Sequence, residues 1–304
     1  VQPIEPKPTT LVTPERLNDH IGIDITLAVE TFQVAGSFKF RAAWNVAKSV
    51  PHPHLIAASS GNFGQALACA AKMTGKRCTI VMPQNSAQVK IDAILSYDGI
   101  VDLVNTHEIS RAERVKQLAA EFPDAYITSA FDDLLVIEGN SSLGVELAPH
   151  GFDVVIAPVG GGGLTAGLIN GLRRSGSTTS VVGAEPLLAN DAAESLRQGK
   201  IVGFEVEQPT IADGARTLAL GTNNWAVLEH GLDGIIEVDD DTIRDGVRLL
   251  YSHANLKVEP TGALALGAVL TQPTRFAGKK ICCVVSGGNV DPAVYAGIIS
   301  SQAN

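Results

Sequence analysis

Apolar runs just long enough for a strand alternate with helix-length stretches along most of this chain, and that alternation restricts the fold more than any other feature. The runs at 55–58, 78–82, 101–104 and 125–128 are separated by 63–74, 86–97 and 110–121, each periodic enough for a helix. The pattern resumes with strands at 154–157 and 181–184 around a helix at 164–174. It closes with a strand at 235–238, helices at 241–254 and 262–270, and a strand at 281–285. Near the start, a strand at 23–29 leads to a helix at 40–49 that stops at Val50-Pro51-His52-Pro53. Strand–helix alternation demands right-handed crossovers and parallel pairing. The runs are too numerous for one compact sheet, so the expectation is an α/β protein with two open, twisted parallel-sheet domains. Residues 1–10 read as a proline-rich arm, and the aperiodic stretches 199–210 and 218–224 as excursions over the surface.

Composition removes some classes of function. The 304 residues suffice for a sizeable core, and a formal charge of -9 argues against nucleic acid or an anionic membrane as partner. No apolar stretch is long enough to span a bilayer, and no charged-then-apolar signal segment opens the sequence. Cys69, Cys78, Cys282 and Cys283 form no C-x-x-C pair, and the last two lie in an apolar run. They read as reduced and structural, which fits a cytoplasmic protein.

Ligands of open α/β sheets sit beyond the carboxyl ends of the strands. Between the strand at 23–29 and the helix at 40–49 lies Gly36-Ser37-Phe38-Lys39-Phe40-Arg41. An apolar collar of two phenylalanines disfavours the ammonium form, which is how a lysine becomes a nucleophile. A surface lysine snorkelling over apolar neighbours is the commoner outcome for six such residues alone. After 154–157 come Gly160, Gly161, Gly162, Gly163, Leu164 and Thr165. Four glycines between strand and helix let backbone N–H groups converge on one anion. The run is neither G-x-G-x-x-G nor a P-loop, so a single phosphate suits it better than a dinucleotide or triphosphate. After 55–58, Ser59-Ser60-Gly61-Asn62-Phe63 either caps the next helix or grips a carboxylate. Ser286-Gly287-Gly288-Asn289 puts another hydroxyl at a strand end. After 181–184, Glu185 and Asp191 either share a hard cation with an intervening carbonyl or act as a strand-end carboxylate and a helix N-cap.

Taken in order, the segments Gly36 to Arg41, Ser59 to Asn62, Gly160 to Leu164, Glu259-Pro260-Thr261-Gly262-Ala263 and Ser286 to Asn289 resemble the fold type II pyridoxal-phosphate enzymes. The likeness is to their serine/threonine dehydratase and serine racemase branch and covers nearly the whole chain. It implies a tryptophan synthase β-like architecture with the cofactor between two domains. Residues 1–53 and 132–304 would form the larger, and 54–131 a smaller one that closes over the substrate. It also implies pyridoxal 5'-phosphate as cofactor, with Lys39 as its Schiff-base lysine beside Phe38. Gly160, Gly161, Gly162, Gly163 and Leu164 would cup the phosphate, Asn62 would meet the phenolic oxygen and Ser286, followed by Gly287, the ring nitrogen. Glu259 would lie beside the cofactor, and Gly214 of Thr210-Ile211-Ala212-Asp213-Gly214 near its ring. Ser59, Ser60, Gly61, Asn62 and Phe63 would hold the substrate carboxylate, with Ser60 as acid/base opposite the lysine. Glu185, the Ala189 carbonyl and Asp191 match the family's Mg²⁺ or Ca²⁺ site, and a homodimer is the family expectation.

The activity implied is α,β-elimination from a β-hydroxy amino acid such as L-serine or L-threonine, giving a 2-oxo acid and ammonia. Racemisation, or dehydration of a bulkier substrate such as hydroxyaspartate or phenylserine, is the alternative. Phe63 stands where the family has His, Ala35 where Thr is usual, and Glu138-Gly139-Asn140-Ser141-Ser142 where a Gly-Gln-Gly-Thr-like run is common. These departures place Phe63 and Asn140 to Ser142 near the substrate. Two readings outside this chemistry are a nicotinamide-dependent oxidoreductase using Glu185 for the ribose and a catalytically silent sensor. The first leaves Lys39 idle, and an intact Lys39 argues against the second.

Overall fold

The computed structural model describes residues 5–300, so residues 1–4 of the expected arm lie outside it. In chain order the strands are β1 (Thr10–Val12), β2 (Ile25–Val29), β3 (His54–Ala58), β4 (Arg77–Pro83), β5 (Ile100–Val104), β6 (Ala125–Ile127), β7 (Val154–Pro158), β8 (Ser180–Pro186), β9 (Ile235–Val238) and β10 (Ile281–Val285). The helices begin with α1 (Glu15–Ile21), α2 (Lys39–Ser49), α3 (Asn62–Met73), α4 (Gln88–Leu95), α5 (Arg111–Glu121) and α6 (Leu134–Leu147). They continue with α7 (Gly163–Arg174), α8 (Asp191–Gln198), α9 (Thr222–Gly231), α10 (Asp240–Ala254), α11 (Leu264–Thr271), α12 (Pro273–Phe276) and α13 (Pro292–Ser300).

These strands make two sheets. A six-stranded one runs β1-β2-β10-β7-β8-β9 and a four-stranded one β5-β4-β3-β6. Every pairing is parallel except β1 with β2. The smaller sheet draws all its strands from 54–127. Both sheets are covered on both faces, which is why β10 and β7 at the centre of the larger sheet are apolar at every position instead of alternating. Within β10, Ile281, Cys283 and Val285 enter one core while Cys282 and Val284 enter the other. The adjacent cysteines therefore point to opposite faces. All four cysteines are buried and free.

Two parts of the sequence reading change. Helix α6 escaped it because that helix packs against both α2 and α7, so its apolar and small residues spread over more than one face and no single stripe marks it. The stretch 218–224 is not a surface excursion: Leu220 and Asn224 are buried, and α9 already begins at Thr222. Among the described residues, no helix is long and apolar enough to cross a membrane.

Strand order positions the site. β10 lies between β2 and β7, so the segments leaving the carboxyl ends of these three strands emerge side by side. The β2 exit carries Lys39, the β10 exit Ser286, and the β7 exit the four glycines.

Candidate active site

The exits of β2 and β10 are zipped together. Phe38 N–H donates to the Ser286 carbonyl at 3.0 Å, Gly288 N–H to the Gly36 carbonyl at 3.0 Å, and Asn289 Nδ2 to the Ala35 carbonyl at 2.8 Å. Lys39 is thereby fixed as the first residue of α2. Its Nζ donates to the Ala130 carbonyl at 2.9 Å and stands 5.0 Å from the Phe38 ring centre and 5.8 Å from that of Phe63. Burial pulls the amine down to about 8, with Glu259 working the other way. The expected collar of Phe38 and Phe40 needs correction. Successive helical residues point about 100° apart, so Phe40 turns away and packs on Trp44 in the core. Phe63 takes its place.

Two residues on, Arg41 is 1 % exposed and fully engaged. It reaches Glu30 at 2.7 and 2.9 Å, Glu146 at 2.6 and 2.9 Å, and Ser142 Oγ at 2.9 Å. Burial opposes its charge, and the bonds to Glu30 and Glu146 outweigh that opposition, so the guanidinium stays protonated.

The smaller sheet contributes the turn after β3. Ser59 Oγ accepts from Gly64 N–H at 3.0 Å and Gly61 N–H at 3.4 Å, so this hydroxyl serves the start of α3 and the capping reading holds for it. Ser60 is half-buried. Asn62 crosses to the other sheet, donating to both oxygens of Glu259 at 2.8 and 3.0 Å and accepting from Asn289 Nδ2 at 2.9 Å. Burial pushes the Glu259 carboxyl up to about 7, and the Asn62 amide restrains the rise. Glu259 N–H also bonds the Gly287 carbonyl, and Thr261 Oγ1 accepts from Gly214 N–H at 3.0 Å.

The glycine loop enters α7 with Gly162 at the cap position and no side chain capping the helix. Its N-terminal N–H groups are therefore left for an anion. Glycine is required at Gly161 and Gly163, because a Cβ there would fall 2.3 Å from the Phe131 ring and 2.5 Å from the Phe131 carbonyl. The stretch expected near the substrate, Asn140 to Ser142, lies on α6 behind this loop. Asn140 Nδ2 bonds the Gly163 carbonyl, Ser141 Oγ the Glu138 carbonyl, and Ser142 Oγ the Gly139 carbonyl.

At the β8 exit, Glu185 is fully buried and accepts from the N–H groups of Ala192 and Ala193, both at 2.9 Å. It therefore caps α8, in place of the Asp191 cap read from spacing, and is unavailable to a ribose. Asp191 is 1 % exposed, and neither of its oxygens has a partner among the described residues. Burial raises both carboxyls, Asp191 to about 7. Among the described residues no cluster of three or more His, Cys, Asp or Glu gathers to hold a metal.

Pyridoxal phosphate fits these residues on two observations. Ser286 Oγ is buried without a partner among the described residues, as an acceptor or donor reserved for a ring nitrogen would be. The glycine cradle opens onto an uncapped helix start, as a phosphate requires. Sequence reasoning missed Asn224 and the Ala130–Phe131 strap, because a side chain bonded to a distant carbonyl leaves no local signature.

A family model described as pyridoxal-phosphate dependent enzyme matches residues 4–287. The chain is 35% identical to L-threo-3-hydroxyaspartate ammonia-lyase of Saccharomyces cerevisiae, over 97% of this chain and 91% of that protein. It is 33% identical to a serine racemase of Dictyostelium discoideum, over 96% and 92%. A solved threonine deaminase, from T.th., superposes with a TM-score of 0.89 at 36% identity, covering 94% of each chain. The geometry and these similarities agree: the chain belongs to the pyridoxal-phosphate dependent enzymes of fold type II, in their serine/threonine dehydratase and racemase branch.

Proposed function

We propose that the protein removes the β-hydroxyl of a 3-hydroxy amino acid and releases a 2-oxo acid and ammonia. The observation that carries this reading is the pairing of a desolvated Lys39 with a neutral, unpartnered Ser286 hydroxyl at adjacent strand exits. Lys39, Asn62, Ser286 and the loop from Gly160 to Leu164 would hold pyridoxal phosphate, which when bound supplies an electron sink for charge left at Cα. A serine at position 286 does not keep the ring nitrogen protonated as an aspartate would, which favours elimination over transamination. Lys39 Nζ takes the Cα proton, since its lowered basicity leaves much of the amine neutral near pH 8. The N–H groups and the Ser60 hydroxyl at the start of α3 receive the substrate carboxylate, with Phe63 walling the pocket beside Lys39. Ser60 on the opposite side from Lys39 makes racemisation a measurable side reaction.

A dicarboxylic substrate such as 3-hydroxyaspartate is favoured by Lys90, which lies close enough to Glu259 to restrain the rise of its carboxyl. Lys90 of α4 pairs with Asp213 at 2.7 Å, and Arg111 of α5 with Glu207 at 3.0 Å. Each pair joins 54–131 to the larger part of the chain, which suits a small domain closing over substrate. Lys90 would receive a second carboxylate in exchange for Asp213. Asp191, bare and buried beside the Ala189 turn and Glu185, is suited to a divalent cation.

The test is to incubate the pyridoxal-phosphate-loaded protein with L-serine, L-threonine and 3-hydroxyaspartate, assaying 2-oxo acid, ammonia and inverted amino acid. Oxo acid formed faster than inverted amino acid supports the proposal, and fastest turnover of 3-hydroxyaspartate supports the dicarboxylic reading. Inversion without oxo acid overturns elimination.

A further inference from the structure

Two buried asparagines stand behind the glycine loop and take no part in the chemistry above. Asn140 of α6 is 1 % exposed and Asn224 of α9 is fully buried. Asn140 Nδ2 donates to the Gly163 carbonyl at 3.0 Å. Asn224 Nδ2 donates to the Gly161 carbonyl at 2.6 Å and to the Phe131 carbonyl at 3.0 Å. Gly221 N–H adds a second donor to the Gly161 carbonyl at 3.1 Å. Each asparagine leaves its own Oδ1 buried without a partner among the described residues. A bare buried acceptor lowers stability, and an apolar side chain of similar size would avoid that cost. What the two positions retain is the amide donor.

A trans peptide is planar, so a carbonyl and the N–H of the following residue point in opposite directions. Drawing the Gly161 carbonyl onto Asn224 therefore turns the Gly162 N–H away from α9. Holding the Gly163 carbonyl on Asn140 turns the Leu164 N–H away from α6. Leu164 lies in the first turn of α7, where N–H groups have no intrahelical acceptor. We infer that Asn140 and Asn224 are positioning residues for the cofactor phosphate, holding two loop carbonyls back so that the intervening N–H groups face the anion. Asn224 also grips the Phe131 carbonyl, one residue beyond the Ala130 carbonyl that accepts from Lys39. The phosphate loop and the lysine are thus referenced to one strap. The inference rests on the cofactor assignment and is independent of the choice of substrate.

The test titrates the cofactor-free full chain, and its Asn140→Ala and Asn224→Ala variants, with pyridoxal phosphate and separately with pyridoxal, which lacks the phosphate. Visible absorbance reports binding, and ³¹P NMR reports the environment of the bound phosphate. Each variant is expected to bind pyridoxal phosphate about ten- to a hundredfold more weakly, the loss typical of a hydrogen bond serving a charged group. Pyridoxal affinity stays at the parent's value and the ³¹P resonance moves. Where an alanine variant does not fold, the serine variant at the same position keeps a donor, and it is expected to fold and recover part of the phosphate affinity. Equal losses for both ligands, no loss, or failure of both variants at a site to fold would overturn the inference. A parent protein that takes up neither ligand would instead overturn the cofactor assignment.

Discussion

Two cations sit two residues apart on the first turn of α2 and meet opposite surroundings. Arg41 is enclosed by Glu30 and Glu146 with four short contacts, and it holds α2 against α6 and the strand exit that precedes Lys39. Among the described residues, Lys39 meets one backbone carbonyl, two aromatic rings and no carboxylate in hydrogen-bond contact. Both are withdrawn from water, Arg41 wholly and Lys39 in large part. The difference is compensation: paired charge stays charged and builds structure, while unpaired charge loses its proton and becomes reactive. The Glu185–Asp191 pair is a third case, in which two buried like charges have helix N–H groups on one side and nothing on the other.

Exchanging these roles gives the largest expected effect. Lys39→Ala should lower turnover by at least about a thousandfold, with the thermal midpoint of the cofactor-free protein unchanged or slightly raised. A variant that keeps its turnover would remove the lysine from the mechanism. Arg41→Met should instead cost about 3–5 kcal/mol of stability, read from denaturant midpoints, because the buried Glu30 carboxylate is left without its cation. Adding Glu30→Leu to that variant should restore part of the loss. A stability loss under about 1 kcal/mol for Arg41→Met would place this cluster among the weak surface pairs.

The third case predicts a smaller response. Mg²⁺ or Ca²⁺ at a hundredfold excess over its dissociation constant should stabilise by about 2.7 kcal/mol, a rise of several degrees in melting temperature. Asp191→Asn should abolish the rise. An unaltered melt of the parent protein across millimolar cation, or an equal rise in the variant, would leave the carboxylates without a cation.

The mildest effect is in pH. Only the neutral Lys39 amine condenses with an aldehyde, and its fraction grows with pH. Uptake of pyridoxal phosphate by the cofactor-free protein should accelerate nearly tenfold per pH unit below about 8 and level off above it. Phe63→Ser, which admits water to Nζ, should move the midpoint upward. A rate independent of pH between 6 and 9 would mean that the collar does not depress the lysine.

Much of the architecture was legible from local pattern. β9 and β10 fall at the residues their apolar runs predict, and the helices after β3, β5 and β7 begin within a residue of expectation. Periodicity reports short-range geometry, and these elements depend on it. Helix α6 was invisible for the same reason, since a helix packed against neighbours on two sides carries no single stripe. Within the site, Lys39, Asn62, Ser286 and the glycine run were recognised as strand-exit residues. The actual neighbours of Lys39 were not, because helical rotation removes Phe40 and the fold imports Phe63.

By itself, then, the sequence determined that parallel strands alternate with helices and that particular side chains stand at their carboxyl ends. Tertiary structure alone decided which of those side chains meet. Asn62 finds Glu259 across 197 positions and Lys39 finds the Ala130 carbonyl across 91. Sheet order, with β10 inserted between β2 and β7, makes the exits of β2, β10 and β7 neighbours, and docking of the smaller sheet brings Asn62 to Glu259. Whether a buried charge is structural or reactive depends on such long-range partners, and a linear pattern does not encode them.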